Sequence, residues 1–168
     1  SVEEIMEDVQ GPDFPTGGII YNKKDILQAY TTGRGGIVMR GKAEIVENKK
    51  GECQIIISEI PYQLNKSSLV EKIADLIKEK KIEGVRDLRD ESGKEGVRIV
   101  LDLKKDSFPK KILNSLYNKT PLQDTYHVNL LALVDGIQPK VLNIKVALEE
   151  YIKHREEVIK RRTQFELD

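Results

Sequence analysis

Three basic side chains lie close together in a stretch of the chain that holds no carboxylate. Between Thr32 and Ala43 the sequence contains Arg34, Arg40 and Lys42, and each of them is next to a glycine. Guanidinium and ammonium groups bind phosphate oxygens well, and glycine lets a backbone come close to a ligand. The alternative is a strand with one polar face in water. The pattern alone favours this alternative over phosphate binding.

Motifs for covalent or nucleotide chemistry are missing from the sequence. It has no H-E-x-x-H, no C-x-x-C and no phosphate-loop motif, and "GRGG" follows a predicted helix and leads into a strand, the reverse of a phosphate loop. Asp87, Asp90 and Glu91 are interleaved with Arg86 and Arg89. This mixture predicts ion pairs on a solvated strand rather than an acid/base pair of carboxylates.

The histidines and the cysteine predict no metal site. His127 alternates with apolar neighbours, which predicts a packed strand residue, and His154 falls on a predicted helix surface. They are far apart, with no cluster of cysteines or carboxylates between them. The single Cys53 excludes an internal disulfide and fits a small strand residue in a reducing cytoplasm.

The composition indicates a soluble globular protein without overall attraction to nucleic acid. Lys plus Arg is 28 and Asp plus Glu is 28, so any binding field must be local. No apolar run approaches the roughly 18 residues that span a bilayer. The acidic N-terminus has no apolar signal core, so we expect a cytoplasmic protein. The chain starts with Ser1 and stops inside a predicted helix, which predicts a piece of a longer protein.

The elements that position the basic residues are predicted to be β-rich. Residues 36–60 contain two strand-like runs separated by "NKKG", which predicts a hairpin, and Gly33 is a natural left-handed end for the helix before it. Arg40 and Lys42 are two apart, so on one strand they would share a face, opposite Met39 and Ala43.

Helices cover much of the remaining sequence. Ser68 and Glu71 predict a capping box for a helix that Gly84 would end, and Pro109 opens another helix. The predicted buried face of the first helix holds Leu69, Ile73, Leu76 and Ile77. A heptad-like stripe from about residue 144 consists of Ile144, Leu148, Tyr151, Arg155, Val158, Arg162 and Phe165. The predicted fold class is α+β, with antiparallel hairpins and sheet packed against helices and then a long projecting helix.

Long strings along the whole chain resemble the A subunits of bacterial type IIA topoisomerases, those of DNA gyrase in particular. The strings that carry the resemblance are "GPDFPTGGII", "AYTTGRGGIVMRGKAEI", "EIPYQLNKSSLVEKIADL", "LRDESGKEGVRIVLDLKKD", "LALVDG" with "QPKVLN", and "HREEVIKRRTQFEL". The resemblance implies a tower domain, or shoulder, over residues 1–142. It implies the start of a coiled-coil arm over residues 143–168.

The resemblance also implies a role. The parent enzyme would break one DNA duplex, pass another through it and reseal the break, and its tower would hold the gate duplex by its phosphates. Onto that role we map Arg34, Arg40, Lys42 and, with less support, Lys66. No catalytic residue is expected here, because the DNA-cleaving tyrosine of the family lies upstream of the matching strings. Mg²⁺ and ATP would act through the partner subunit, so no cofactor is expected in this segment.

The expected partners are double-stranded DNA, the gyrase B subunit and a second copy of the gyrase A subunit in the A2B2 enzyme, with no membrane contact. The segment alone is expected to be an inactive monomer in dilute solution. Three alternatives stay open: the same domain from the A subunit of topoisomerase IV, a structural module with negligible DNA affinity, and an independent small-molecule enzyme. The lack of any convergent catalytic site disfavours the last.

Overall fold

The fold class is α+β, as predicted. The computed structural model describes residues 1–47, 51–134 and 136–167. The helices are α1 (Val2–Asp8), α2 (Lys23–Thr32), α3 (Lys66–Lys78), α4 (Pro109–Lys119) and α5 (Ile144–Leu167). The strands are β1 (Ile19–Ile20), β2 (Arg34–Arg40), β3 (Ala43–Glu47), β4 (Cys53–Ile57), β5 (Val85–Asp90), β6 (Ile99–Leu103), β7 (Gln123–Asn129), β8 (Leu131–Val134) and β9 (Gln138–Val141).

The chain divides into two compact units, each built from separate stretches of sequence. The first comprises residues 1–12, 22–37 and 127–168, and the second comprises residues 13–21 and 38–126. Strands β1, β2 and β7 form a three-stranded sheet in the order β1-β2-β7. The division into a tower over residues 1–142 and an arm over residues 143–168 stays a prediction.

The second unit is built on a four-stranded antiparallel sheet in the order β3-β4-β6-β5. The predicted hairpin is confirmed for β3 and β4, with Ala43 opposite Ile57, whereas residues 48–50 of its predicted turn lie outside the described residues. Alternation along these strands sends every second apolar side chain toward α3 and α4. The resulting core is formed by Ile55, Ile57, Ile60, Leu69, Ile73, Leu76, Ile82, Val85, Ile99, Leu101, Leu103, Ile112, Leu116 and Leu122.

Helix α3 keeps its predicted buried face but not its predicted ends. Leu69, Ile73 and Leu76 are buried and Ile77 is half-buried, which confirms the apolar stripe. The capping box at Ser68 is wrong, because the helix begins at Lys66 and the Asn65 side chain accepts from the Ser68 amide. An asparagine cap satisfies the first amides one turn earlier than the predicted motif would.

Gly84 does not end α3, contrary to the prediction. The helix stops at Lys78, and Lys80 takes the left-handed conformation with a φ of 56°. Gly84 has a φ of 87° directly before β5. Because glycine has no side chain, the backbone at Gly84 can pack closely against Ser107, whose Cβ would lie 2.9 Å from a Cβ at Gly84.

The opposite face of the β3-β4-β6-β5 sheet carries the predicted ion pairs. Arg89 contacts Asp87, Glu91 and Asp102, and Asp102 also accepts from Gln54 at 2.6 Å. The hydrogen bond from Arg89 holds the pKa of the buried Asp102 carboxyl below its ordinary value, although burial opposes that shift. These carboxylates are therefore paired structural groups, as the sequence predicts.

The first unit is mostly helical. Helices α1, α2 and α5 contact one another, and β8 pairs with β9 as a separate antiparallel hairpin. Gly33 ends α2 as predicted, with a φ of 75°, and its amide donates to the Ala29 carbonyl at 2.8 Å. The predicted C-terminal helix is confirmed as α5, which has no buried residue. No helix in the described part of the chain is both long and apolar enough to span a bilayer.

Candidate nucleic-acid interface

Arg34 is the first residue of β2 and belongs to the first unit. Its backbone is held by Thr32, whose hydroxyl donates to the Arg34 carbonyl at 2.6 Å and accepts from the Arg34 amide at 3.2 Å. Its side chain is exposed, and Nε donates to Asn129 Oδ1 at 3.3 Å. A fixed backbone therefore presents a guanidinium whose one side-chain hydrogen-bond partner among the described residues is neutral.

Arg40 is the last residue of β2 and lies in the second unit, where it is half-buried. Its guanidinium carbon lies 4.9 Å from the centroid of the Tyr21 ring and 5.0 Å from that of Tyr117, and Nε donates to Gln123 Oε1. Cations bind the faces of aromatic rings at such distances. Burial raises the pKa of the Tyr117 hydroxyl, so that ring stays neutral beside Arg40.

Arg40 and Lys42 do not share a strand face, so that prediction is wrong. Strand β2 ends at Arg40, and β3 starts at Ala43 in a different sheet. Gly41 makes this change possible, because a Cβ there would lie 2.5 Å from the Glu59 carbonyl oxygen. The Gly41 amide donates to the Leu122 carbonyl at 2.8 Å. A two-residue period cannot continue through such a crossover.

Lys42 lies in this crossover and is weakly paired. Its Nζ is 3.9 Å from Glu59 Oε1, with nearly half of the lysine side chain exposed. The second Glu59 oxygen accepts from the Gly18 amide at 2.6 Å, so the carboxylate is fixed independently of Lys42. An exposed pair of this length adds little stability, which leaves the ammonium group available to another anion.

Lys66 starts α3 and is more firmly paired than Lys42. Its Nζ lies 2.7 Å from Asp90 Oδ2. The bond from Lys66 lowers the pKa of Asp90 to about 2, helped by the Ser92 amide, which donates to Asp90 at 3.0 Å. A phosphate would have to compete with this carboxylate for Lys66.

The partners of these basic residues were not foreseen from the sequence. Tyr21, Tyr117 and Gln123 surround Arg40, although the latter two lie far from it along the chain. No spacing rule connects residues that only the fold brings together. The fold also brings Glu59 to Lys42, although the two residues are not neighbours along the chain.

The histidines are both exposed. This makes the prediction of a packed His127 on β7 wrong, and it agrees with the surface position predicted for His154 on α5. Among the residues that the structure describes, no three His, Cys, Asp or Glu side chains are grouped so that they could hold a metal ion. Cys53 is a half-buried residue of β4.

Comparison of the sequence with known proteins shows the family of this chain. The family of DNA gyrase/topoisomerase IV A subunits matches residues 1–168, which is the whole chain. The chain belongs to this family. Its relatives at high identity include the DNA gyrase A subunit of Clostridium acetobutylicum, at 55% over 100% of this chain. The DNA gyrase A subunits of Staphylococcus epidermidis and Staphylococcus aureus are 50% and 51% identical over 99% of it.

The chain spans about a fifth of the length of these curated relatives, 20% of the first and 19% of the other two. The matches extend over essentially the whole of this chain. The family match includes the positions of Arg34, Arg40, Lys42 and Lys66, and their contact with DNA stays a prediction.

Proposed function

We propose that this segment is the tower of a gyrase-type A subunit and forms the shoulder on which the gate duplex rests by its phosphates. The observation that carries the proposal is the family match over the whole chain. The exposed guanidinium of Arg34 supports it, because its partner in the described part of the chain is neutral and a cation gains more from a phosphate than from such a partner. Contacts of this kind position DNA without reading its sequence.

The existing contacts of the four basic residues indicate how much each of them would contribute to DNA binding. Arg34 would give up one hydrogen bond to an asparagine, and Lys42 a long ion pair with Glu59. Lys66 would give up a close pair with Asp90. Arg40 is held between two tyrosine rings, so it would offer a phosphate only the part of its guanidinium that remains exposed. We therefore expect Arg34 and Lys42 to contribute most.

In the parent protein the segment would serve the DNA breakage-reunion subunit of an ATP-dependent type II topoisomerase that supercoils DNA negatively in the cytoplasm. Its partners would be duplex DNA, the gyrase B subunit and a second gyrase A subunit, with Mg²⁺ and ATP acting through the partner subunit. Residues 143–168 would begin the helical arm. The segment alone would cleave no DNA and would be monomeric. The relatives named above favour gyrase over topoisomerase IV.

The test is salt-dependent binding of a fluorescently labelled DNA duplex by the 168-residue chain. Each phosphate contact contributes roughly −0.9 to the slope of log affinity against log salt concentration. Changing Arg34, Arg40 and Lys42 to glutamine should flatten this slope by about two to three units, equally for unrelated duplex sequences. Arg34→Gln alone should remove about one unit.

Lys94→Gln is the matched control, because Lys94 is an exposed lysine in the β5–β6 turn of the second unit. It should leave the slope unchanged. An unaltered slope and affinity in the triple variant would overturn the assignment of these residues. Failure of the unaltered chain to bind duplex DNA would favour the purely structural alternative.

A further inference from the structure

Two lysine-rich segments that are far apart in sequence meet in the second unit. Residues 78–81, "KEKK", begin at the last residue of α3, and residues 104–111, "KKDSFPKK", lead from β6 into α4. Together they contain seven lysines and two acidic residues. Since the chain has no net charge, this is a strong local excess of positive charge that only the fold assembles.

The two segments line one open cavity of about 380 Å³. Its charged lining comprises Lys80, Lys81, Lys111 and Lys119, opposed by Glu83 and Asp106. Its apolar lining includes Ile82 and Ile112, which are buried members of the core, and Phe108, whose side chain is 75% exposed. The cavity thus combines an apolar floor with a predominantly lysine rim.

Backbone contacts hold the cavity in place. Lys119 Nζ donates to the Lys81 carbonyl at 2.7 Å, which ties the end of α4 to the segment after α3. The Lys104 amide donates to the Gly84 carbonyl at 2.8 Å. A side chain at Gly84 would meet Ser107 and Ile112 at 2.9 and 3.0 Å, so the walls approach each other only because that residue is glycine. The site is therefore preformed.

Part of the positive charge on the rim is uncompensated. Lys81 pairs with Glu79 at 2.8 Å, whereas Lys80 and Lys111 have no acidic partner among the described residues. An exposed phenylalanine beside lysines without an acidic partner suits a ligand that brings both an apolar group and negative charge.

We propose that this cavity binds an acidic protein segment, which inserts an apolar side chain against Phe108 and Ile112 and places carboxylates on the lysine rim. The concave shape and the apolar floor favour a peptide over duplex DNA. A DNA backbone would satisfy the lysines, but its convex row of phosphates has no apolar group for the floor. The inference is independent of the phosphate contacts proposed for the four basic residues above.

The test uses a fluorescein-labelled peptide of glutamates and aspartates around one leucine, titrated with the 168-residue chain. Lys111→Glu should weaken binding by roughly five- to tenfold, because it replaces an attraction with a repulsion. An acidic residue suits the first turn of α4, so this variant should fold at least as well as the parent. Phe108→Ala should weaken binding of the leucine peptide but not of its glycine-substituted counterpart.

The matched control is Lys94→Glu, the same charge change at an exposed lysine outside this cavity. It should alter binding by less than about twofold. Amide NMR signals of Gly84, Phe108 and Ile112 should shift when the peptide is added. Equal losses in Lys94→Glu and Lys111→Glu, shifts confined to other residues, or no binding by the parent chain would each overturn the proposal. It would equally be overturned if Lys111→Glu reduced binding of a short DNA duplex and left the peptide unaffected.

Discussion

The second unit buries its apolar side chains far more completely than the first. Its sheet and helices α3 and α4 enclose a continuous core, in which Ile55, Leu101 and Leu116 are fully inaccessible. Among its described residues, the first unit has few buried apolar ones: Ile26, Ala29, Tyr30, Ile37 and Leu142. Several of its large apolar side chains are exposed, namely Leu131, Leu133, Ile137, Leu148, Tyr151, Ile152, Ile159 and Phe165.

This difference indicates where the folding free energy is concentrated. Burial of apolar area is the dominant favourable term, so the second unit should resist unfolding through its core. The first unit depends more on local geometry, such as the left-handed end of α2 at Gly33. Helix α5 spans 24 residues without a fully buried one, so apolar burial contributes little to its stability.

The difference in burial between the two units predicts the largest loss of stability for a variant that creates a cavity in the core of the second unit. Leu101→Ala removes a fully buried side chain from the central strand β6 and should lower the free energy of unfolding by about 3 kcal/mol. Urea denaturation measured by circular dichroism would give the value. Leu148→Ala on α5, where 40% of the side chain is exposed, is the control and should cost less than about 1 kcal/mol. Equal losses in the two variants would remove the contrast between the units.

A second, intermediate effect concerns backbone geometry in the first unit. Gly33 and Gly136 have nearly the same φ, 75° and 72°, but a Cβ at Gly33 would overlap the Leu142 carbonyl, whereas a Cβ at Gly136 would meet none of the described residues beyond its chain neighbours. Alanine at either position incurs the left-handed penalty of about 1–2 kcal/mol. Gly33→Ala should therefore be the more destabilising by about 1–2 kcal/mol, through the overlap alone. Thermal unfolding of the two variants gives this difference, and identical melting temperatures would contradict it.

The smallest effect concerns pH and the Lys66–Asp90 pair of the second unit. Because the folded-state pKa of Asp90 is lowered to about 2, its contribution to stability is present above the ordinary aspartate value and is lost as the pH falls toward 2. The contribution should stay below about 1 kcal/mol, since the pair is partly exposed. An NMR titration of the Asp90 carboxyl carbon should show the low pKa, and Lys66→Met should raise it. If Lys66→Met leaves it low, the Ser92 amide is the dominant cause.

Several elements were predictable because their determinants are local. Gly33 as the end of α2, Pro109 as the start of α4 and the stripe Leu69–Ile73–Leu76 follow from the conformational preferences and spacing of neighbouring residues. The β3–β4 hairpin follows from two strand-like runs close together in sequence. In each case the informative residues lie within a few positions of one another.

The predictions that failed required knowledge of distant contacts. The spacing of Arg40 and Lys42 fits one strand face, but β2 ends before Gly41. Leu122 and Glu59, which are distant in sequence, contact the chain at Gly41. His127 has the alternation of a packed strand residue and is nevertheless exposed. Alternation shows which residues share a face but not whether another element covers that face.

The sequence by itself determined the family and the α+β class, and it singled out the four basic residues that we propose for DNA binding, because long ordered strings and local propensities are properties of the chain alone. Only the tertiary structure decided how free those residues are. It placed Arg40 between two tyrosines, paired Lys66 with Asp90 and left Arg34 exposed. It also gathered two separate lysine segments around one cavity. Electrostatic and packing contacts depend on distance in space, and the fold sets that distance independently of separation along the chain.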